Sequence, residues 1–148
     1  MSDLASPIAT YGLGCNCFSG LIFENQLYLA GLKSIVFVFE VTSSNDQPLI
    51  PVTRIYPTSR VLKILRVGNE LLLGELYGYL EVYDIKASNI TIKNTLFDDE
   101  LPIFDIIAID DDHYLLPTLR GLLKTTKDQA IKSYFKGMEV HSLCRITD

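Results

Sequence analysis

The chain has 148 residues, 48% of them hydrophobic and 21% charged, with nine Gly and six Pro. That much apolar residue excludes disordered, low-complexity and collagen-like chains, and the length fits one domain or part of a larger one. Thirteen Lys and Arg against eighteen Asp and Glu give a net charge of −5; a general nucleic-acid binder needs a positive field, so DNA and RNA are not expected partners.

Residues 1–10 are polar and acidic and lack the basic stretch and apolar run of a secretory signal. The most apolar region, 21–41, is interrupted by Glu24, Asn25, Gln26 and Lys33. A membrane helix needs about 18 or more consecutive apolar residues, so no membrane partner is expected. The three cysteines, Cys15, Cys17 and Cys144, are an odd and low number, which fits reduced thiols in the cytosol or nucleus, and a cytoplasmic location is expected.

Three segments align without a gap: 25–41 (NQLYLAGLKSIVFVFEV), 69–85 (NELLLGELYGYLEVYDI) and 112–128 (DHYLLPTLRGLLKTTKD), at offsets of 44 and 43 residues. Each reads as strand, tight turn, strand, with the turns at Lys33-Ser34, Tyr77-Gly78 and Arg120-Gly121. An apolar stretch precedes each hairpin, at 17–23, 61–67 and 103–109, and a further copy lies at 140–146. A weaker strand follows each, at 50–56, 90–96 and 130–135. Each period of about 43 residues therefore holds four strands, here termed a to d, the size and strand count of a propeller blade. Leu71-Leu72-Leu73 and 35–39 do not alternate, so these strands are expected to be buried on both faces, as blades stacked between neighbours would be. Pro117 falls inside the third b strand and predicts a bulge or an irregular third unit.

The stretch 71–85 (LLLGELYGYLEVYDI) resembles the b–c hairpin of the WD-repeat family. Tyr83-Asp84 and Phe39-Glu40 stand where that family ends strand c with an aromatic-acidic pair, and Gly68-Asn69 resembles its small turn into strand b. The chain departs from the family in having no Trp, no Gly-His pair before strand a, and Thr126-Lys127 at the third pair position. The resemblance implies an all-β, WD-like β-propeller arrangement of three four-stranded blades, at about 17–57, 60–97 and 102–136, plus a partial fourth at about 139–148. Three blades make an open arc. A longer chain, a second copy of this chain, or another protein is expected to complete the ring.

Candidate chemistry is sparse. Cys15-x-Cys17 and His141-x-x-Cys144 have zinc-ligand types but lie far apart in sequence, and packing within strands accounts for them. Seven acids and no base lie in 98–112, without the Gly-centred loop of an EF-hand, and read as solvated turns or an acidic rim. His113 reads as a surface residue. No phosphate-binding loop, G-x-S-x-G or H-E-x-x-H is present, so no enzyme activity and no cofactor are expected. Carboxylates such as Asp105 are what a catalytic alternative would use.

The repeat itself supplies the remaining constellation. In propellers of this type the b–c turns and d–a connections share one face. That face is expected to carry Lys33, Tyr77, Arg120, Arg60, Lys136 and the acids Asp98, Asp99 and Glu100. Tyr and Arg are favoured at binding hot spots. The expected role is a non-catalytic interaction scaffold for a protein or peptide, with a self-assembling structural subunit as the alternative.

Overall fold

The computed structural model describes residues 12–14, 16–85, 90–97, 101–127 and 129–143. Among these the chain is all β, with no helix. It forms three four-stranded antiparallel meanders in chain order. The first sheet is β1 (Cys17–Phe23), β2 (Gln26–Gly31), β3 (Val36–Val41) and β4 (Leu49–Ile55). The second is β5 (Val61–Val67), β6 (Glu70–Glu75), β7 (Tyr79–Asp84) and β8 (Thr91–Phe97). The third is β9 (Ile107–Ala108), β10 (Tyr114–Thr118), β11 (Gly121–Thr125) and β12 (Ala130–Tyr134).

The continuous apolar runs are explained by where alternate side chains go. In β6, Leu71 and Leu73 join Tyr28, Ala30, Val36 and Val38 of the first sheet in one core cluster. Leu72, on the opposite face, joins Tyr114, Leu116 and Leu123 of the third sheet in another. Leu71, Leu72 and Leu73 are all fully buried. Strand pleating sends successive residues to opposite faces, so a strand with three buried leucines in a row needs a neighbour on each side. β7 repeats the pattern, with Tyr83 toward the first sheet and Leu80 and Val82 toward the third.

The first two sheets share even their irregularities. The register shifts between Cys17 and Ser19 and again between Val61 and Lys63. It also shifts between Val38 and Phe39, and between Val82 and Tyr83. Two-residue turns join the first strand pairs, at Glu24-Asn25 and Gly68-Asn69, with positive φ at Glu24 (51°) and Gly68 (57°).

The structure departs from the expectation in three ways, two in the third sheet and one in the expected partial fourth unit. The a strand anticipated over 103–109 shrinks to Ile107–Ala108. Ile103 instead donates its N–H to the Glu75 carbonyl of the second sheet, and Phe104 donates to the Pro117 carbonyl. In an antiparallel ladder a residue's N–H and C=O point the same way. Pro117 therefore presents its nitrogen, which has no proton to give, to the side where β9 has already stopped. β10 and β11 keep a continuous register through Pro117 and Leu122, so the anticipated irregularity falls on the first strand. The second departure is in the b–c turn. Gly74 pairs with Leu80, but the equivalent Pro117 pairs with Leu122. The third turn is one residue shorter, and the gapless alignment slips by one from Gly121 onward. Third, residues 140–143 form no strand, and 144–148 lie outside the described residues. Val140 nevertheless donates to the Thr118 carbonyl, repeating the Ile103–Glu75 bond one unit later. The d strands match the expected positions to within one residue at each end.

Gly121 has φ of 134°, and a Cβ there would come within 2.8 Å of the Phe135 carbonyl oxygen. Gly121→Ala is expected to lower the unfolding free energy by about 2 kcal/mol or more. Glu24→Gly, at a left-handed turn position, is expected to raise it by about 0.5–1 kcal/mol. Urea denaturation of both variants tests the two turn geometries.

Candidate functional site

A meander places the b–c turn and the departing end of strand d at the same edge of its sheet. Two contacts make that edge concrete. The Arg60 Nε, on the connection between the first and second sheets, donates to the Leu32 carbonyl in the first b–c turn at 3.0 Å. Gly137, after β12, donates its N–H to the Arg120 carbonyl in the third b–c turn at 3.0 Å. Lys33 and Arg120 are exposed, and Tyr77 is 58% exposed. Lys33, Tyr77 and Arg120 thus stand on three separate b–c turns at one edge, with Arg60 tied to the first and Lys136 beside the third. Asp98, Asp99 and Glu100 lie outside the described residues.

Beside Arg120 is a cleft of about 550 Å³, lined by Leu101, Thr118, Arg120, Leu123, Ser133, Lys136 and Gly137. The opposite edge has a different character. There Asp110 folds back on its own turn, accepting from the N–H groups of Asp112 and His113, with its Oδ1 at 2.8 Å from His113 Nδ1. These bonds, led by the one from the Asp112 backbone, hold the Asp110 carboxyl below the usual range. Lys127 of the third unit forms an ion pair with Glu70 of the second.

The remaining sequence candidates lie away from this edge or outside the described residues. His141 packs against Phe104, the rings tilted by 39° with centroids 4.7 Å apart. Cys17 is exposed, while Cys15 and Cys144 lie outside the described residues. Among the described residues no three His, Cys, Asp or Glu side chains converge to hold a metal ion. Asp105 is buried, its Oδ1 2.8 Å from Lys63 Nζ, and the same oxygen accepts from the Ile106 N–H.

Sequence reasoning missed a buried carboxylate pair. Glu75 and Glu81 project from the second sheet toward the first and are 0% and 1% exposed. The connecting segment seals them. Ser59 donates both its N–H and its hydroxyl to Glu75 Oε2, and the Thr58 hydroxyl and N–H donate to Glu81 Oε1. The Tyr83 hydroxyl donates to Glu81 Oε2 at 2.6 Å. Burial pushes the Tyr83 phenol above its ordinary range, and its bond to Glu81 adds to the shift. Among the described residues Glu75 Oε1 has no hydrogen-bond partner. Burial first, and then the Glu81 charge, push the Glu75 carboxyl up to about 8, against the opposing pull of the Ser59 hydroxyl. The signal in the sequence was a glutamate ending a run of buried leucines, at the place where the other units have Gly31 and Thr118.

No family model and no curated protein matches the chain. Solved structures do. The crystal structure of the computationally designed Ika4 protein superposes with a TM-score of 0.73 at 12% identity, covering 98% of this chain and 89% of that one. The computationally designed Ika8 protein gives 0.69 at 14% identity, covering 89% of this chain, which spans only 40% of Ika8. At these identities the likeness concerns the fold alone.

The carboxylate pair makes stability depend on pH. Folded Glu75 keeps its proton up to about pH 8, whereas the unfolded chain releases it near 4.5. Folding therefore retains a proton in this window, and stability falls as pH rises from about 4.5 to about 8, then levels off. Glu75→Gln is expected to abolish that fall and to be more stable than wild type at pH 8–9. Urea denaturation across pH 5–9 checks this, and an unchanged slope in the variant would contradict it.

Proposed function

We propose that the three sheets are successive blades of a WD-like propeller, and that the chain is a non-catalytic scaffold whose b–c edge receives a protein or peptide. Support for the blade arrangement comes from the contacts that cross between sheets. Ile64 of β5 donates its N–H to Ser19 Oγ of β1 at 3.1 Å, and the Arg66 guanidinium of β5 lies 3.3 Å from the centre of the Phe23 ring of β1. Lys63 of β5 pairs with Asp105, just before β9. First strands therefore meet first strands, as they do in sheets that fan from a shared centre.

The observation that carries the interaction reading is the repeated edge. Three equivalent turns present Lys33, Tyr77 and Arg120 on a rigid scaffold, with Arg60 bound to the first turn by its bond to Leu32. Loops on rigid scaffolds are where recognition concentrates, and Tyr and Arg combine contact area with directional donors. The catalytic alternative has little to work with. Asp105 is engaged by Lys63, and Glu75 and Glu81 are sealed from solvent.

A displayed random-peptide library, selected on the wild-type chain, tests this reading. Peptides so enriched are expected to bind Tyr77→Ala/Arg120→Ala at least tenfold more weakly, with the unfolding midpoint essentially unchanged, since both side chains are exposed. Peptides that bind wild type and double variant equally would place the site elsewhere.

A further inference from the structure

Glu75 and Glu81, which the interaction reading leaves unused, sit beneath the connection that ties two of the b–c turns together. Both carboxyl groups are buried, whereas Thr58, which covers Glu81, is itself exposed. On that side a single stretch of chain separates the pair from water. Thr58 and Ser59 fasten this stretch by giving their N–H groups and hydroxyls to Glu81 and Glu75. Arg60, next in the chain, reaches two turns at once. Its Nε donates to the Leu32 carbonyl in the first b–c turn. Its own carbonyl accepts from the Leu76 N–H in the second at 2.8 Å, one residue before Tyr77. Seating residues 58–60 on the pair therefore couples the first turn to the second.

That seating depends on a proton. Ser59 donates to Glu75 Oε2, and Thr58 and Tyr83 donate to the two oxygens of Glu81. Glu75 Oε1 receives no donor among the described residues. A proton on Glu75 supplies one, with Glu81 within hydrogen-bond reach as its acceptor. The protonated pair carries one negative charge met by several donors, while the ionised pair sets two like charges against each other in a dry site. The surrounding groups offer no relief. Tyr83 stays neutral, and the first sheet faces this interface with Ala30, Val36, Ile55 and Tyr28, whose hydroxyl bonds Gln26. Lys63 of β5 is paired with Asp105, and the Arg60 guanidinium with Leu32. Water can reach the pair where the cover is one stretch thick. The geometry points to a proton-operated latch: with Glu75 protonated, residues 58–60 lock onto the second sheet and tie the first two b–c turns together, and with Glu75 ionised they lift and uncouple those turns. The third turn stands outside the latch. Thr118, which does not titrate, takes the place of Glu75 there, and Gly137 binds the Arg120 carbonyl.

Lifting releases the proton, because Glu75 ionises near 8 when covered and near 4.5 in water. Rising pH between these values therefore favours the open latch. Amide exchange of the full chain, corrected for its intrinsic pH dependence, tests this. Protection of Ser59 and Leu76 is expected to fall about tenfold per pH unit between pH 6.5 and 8. At each pH it is expected to stay well below that of Leu72 and Val82, since the latch opens without unfolding the sheet. In Glu75→Gln, whose amide keeps a donor toward Glu81, the fall is expected to vanish. An unchanged protection across this range, an equal fall in Glu75→Gln, or protection of Ser59 equal to that of Leu72 throughout would overturn the latch. Should the variant not fold, the carboxyl carbon of wild-type Glu75, followed by NMR, decides: titration in step with Ser59 protection supports the latch, and titration near pH 4.5 overturns it. No partner is needed, so the latch and the scaffold reading stand or fall separately.

Discussion

Burial of β6 and β7 on both faces is the constraint from which the arrangement of the other sheets follows. Leu71 and Leu73 require the first sheet, and Leu72, Leu80 and Val82 require the third. A fully buried aliphatic side chain contributes about 1.5–3 kcal/mol relative to exposure. These five together are therefore comparable to the whole net stability of a domain this size, about 5–15 kcal/mol. Separating any two sheets would wet one row of leucines, so the middle sheet makes the three a single unit. The edge turns are held in place by this packing, since each joins two strands whose inner faces are dry.

The same geometry explains why polar groups sit where they do. A connection that passes under a sheet must satisfy its own backbone donors. Between the first and second sheets, Thr58 and Ser59 give their N–H groups to Glu81 and Glu75. Between the second and third, Ile103 uses the Glu75 carbonyl and Phe104 the Pro117 carbonyl. The first solution places two carboxylates in a dry site, one with an oxygen that finds no partner among the described residues. The second leaves a notch. One repeated fold thus carries a buried acid pair in the second unit and a cleft beside Arg120 in the third, with no change of topology.

Much of the architecture was legible in the sequence. Hairpins at 26–41, 70–84 and 114–125 follow from turn residues flanked by apolar runs, and Leu71-Leu72-Leu73 announced a strand with two dry faces. Other features depend on partners distant in sequence. The shortening of β9 follows from Pro117, which lies on the neighbouring strand. The one-residue deletion in the third turn is hidden because Gly121 aligns with Gly78 equally well on composition, and only the pairing of Pro117 with Leu122 reveals it. Lys33, Arg60, Tyr77, Arg120, Lys136 and the acids at 98–100 were expected as one constellation from the period alone; Lys33, Tyr77 and Arg120 each lie on the b–c turn of their own sheet, and the acids lie outside the described residues. Glu75 and Glu81 were invisible as a pair because neither forms a motif. Their proximity arises from cross-strand register and from a connection closing over them.

Native-state hydrogen exchange measures the two-sided burial most directly, because it reports the opening free energy of each strand separately. The amides of β6 and β7 are expected to exchange only through global unfolding and to be the slowest in the chain, slower than their counterparts in β2, β3, β10 and β11, whose sheets each have one buried neighbour through these clusters. Exchange from β6 and β7 as fast as from β4 or β12 would show that the second sheet is not enclosed, and would contradict the packing on which this account rests.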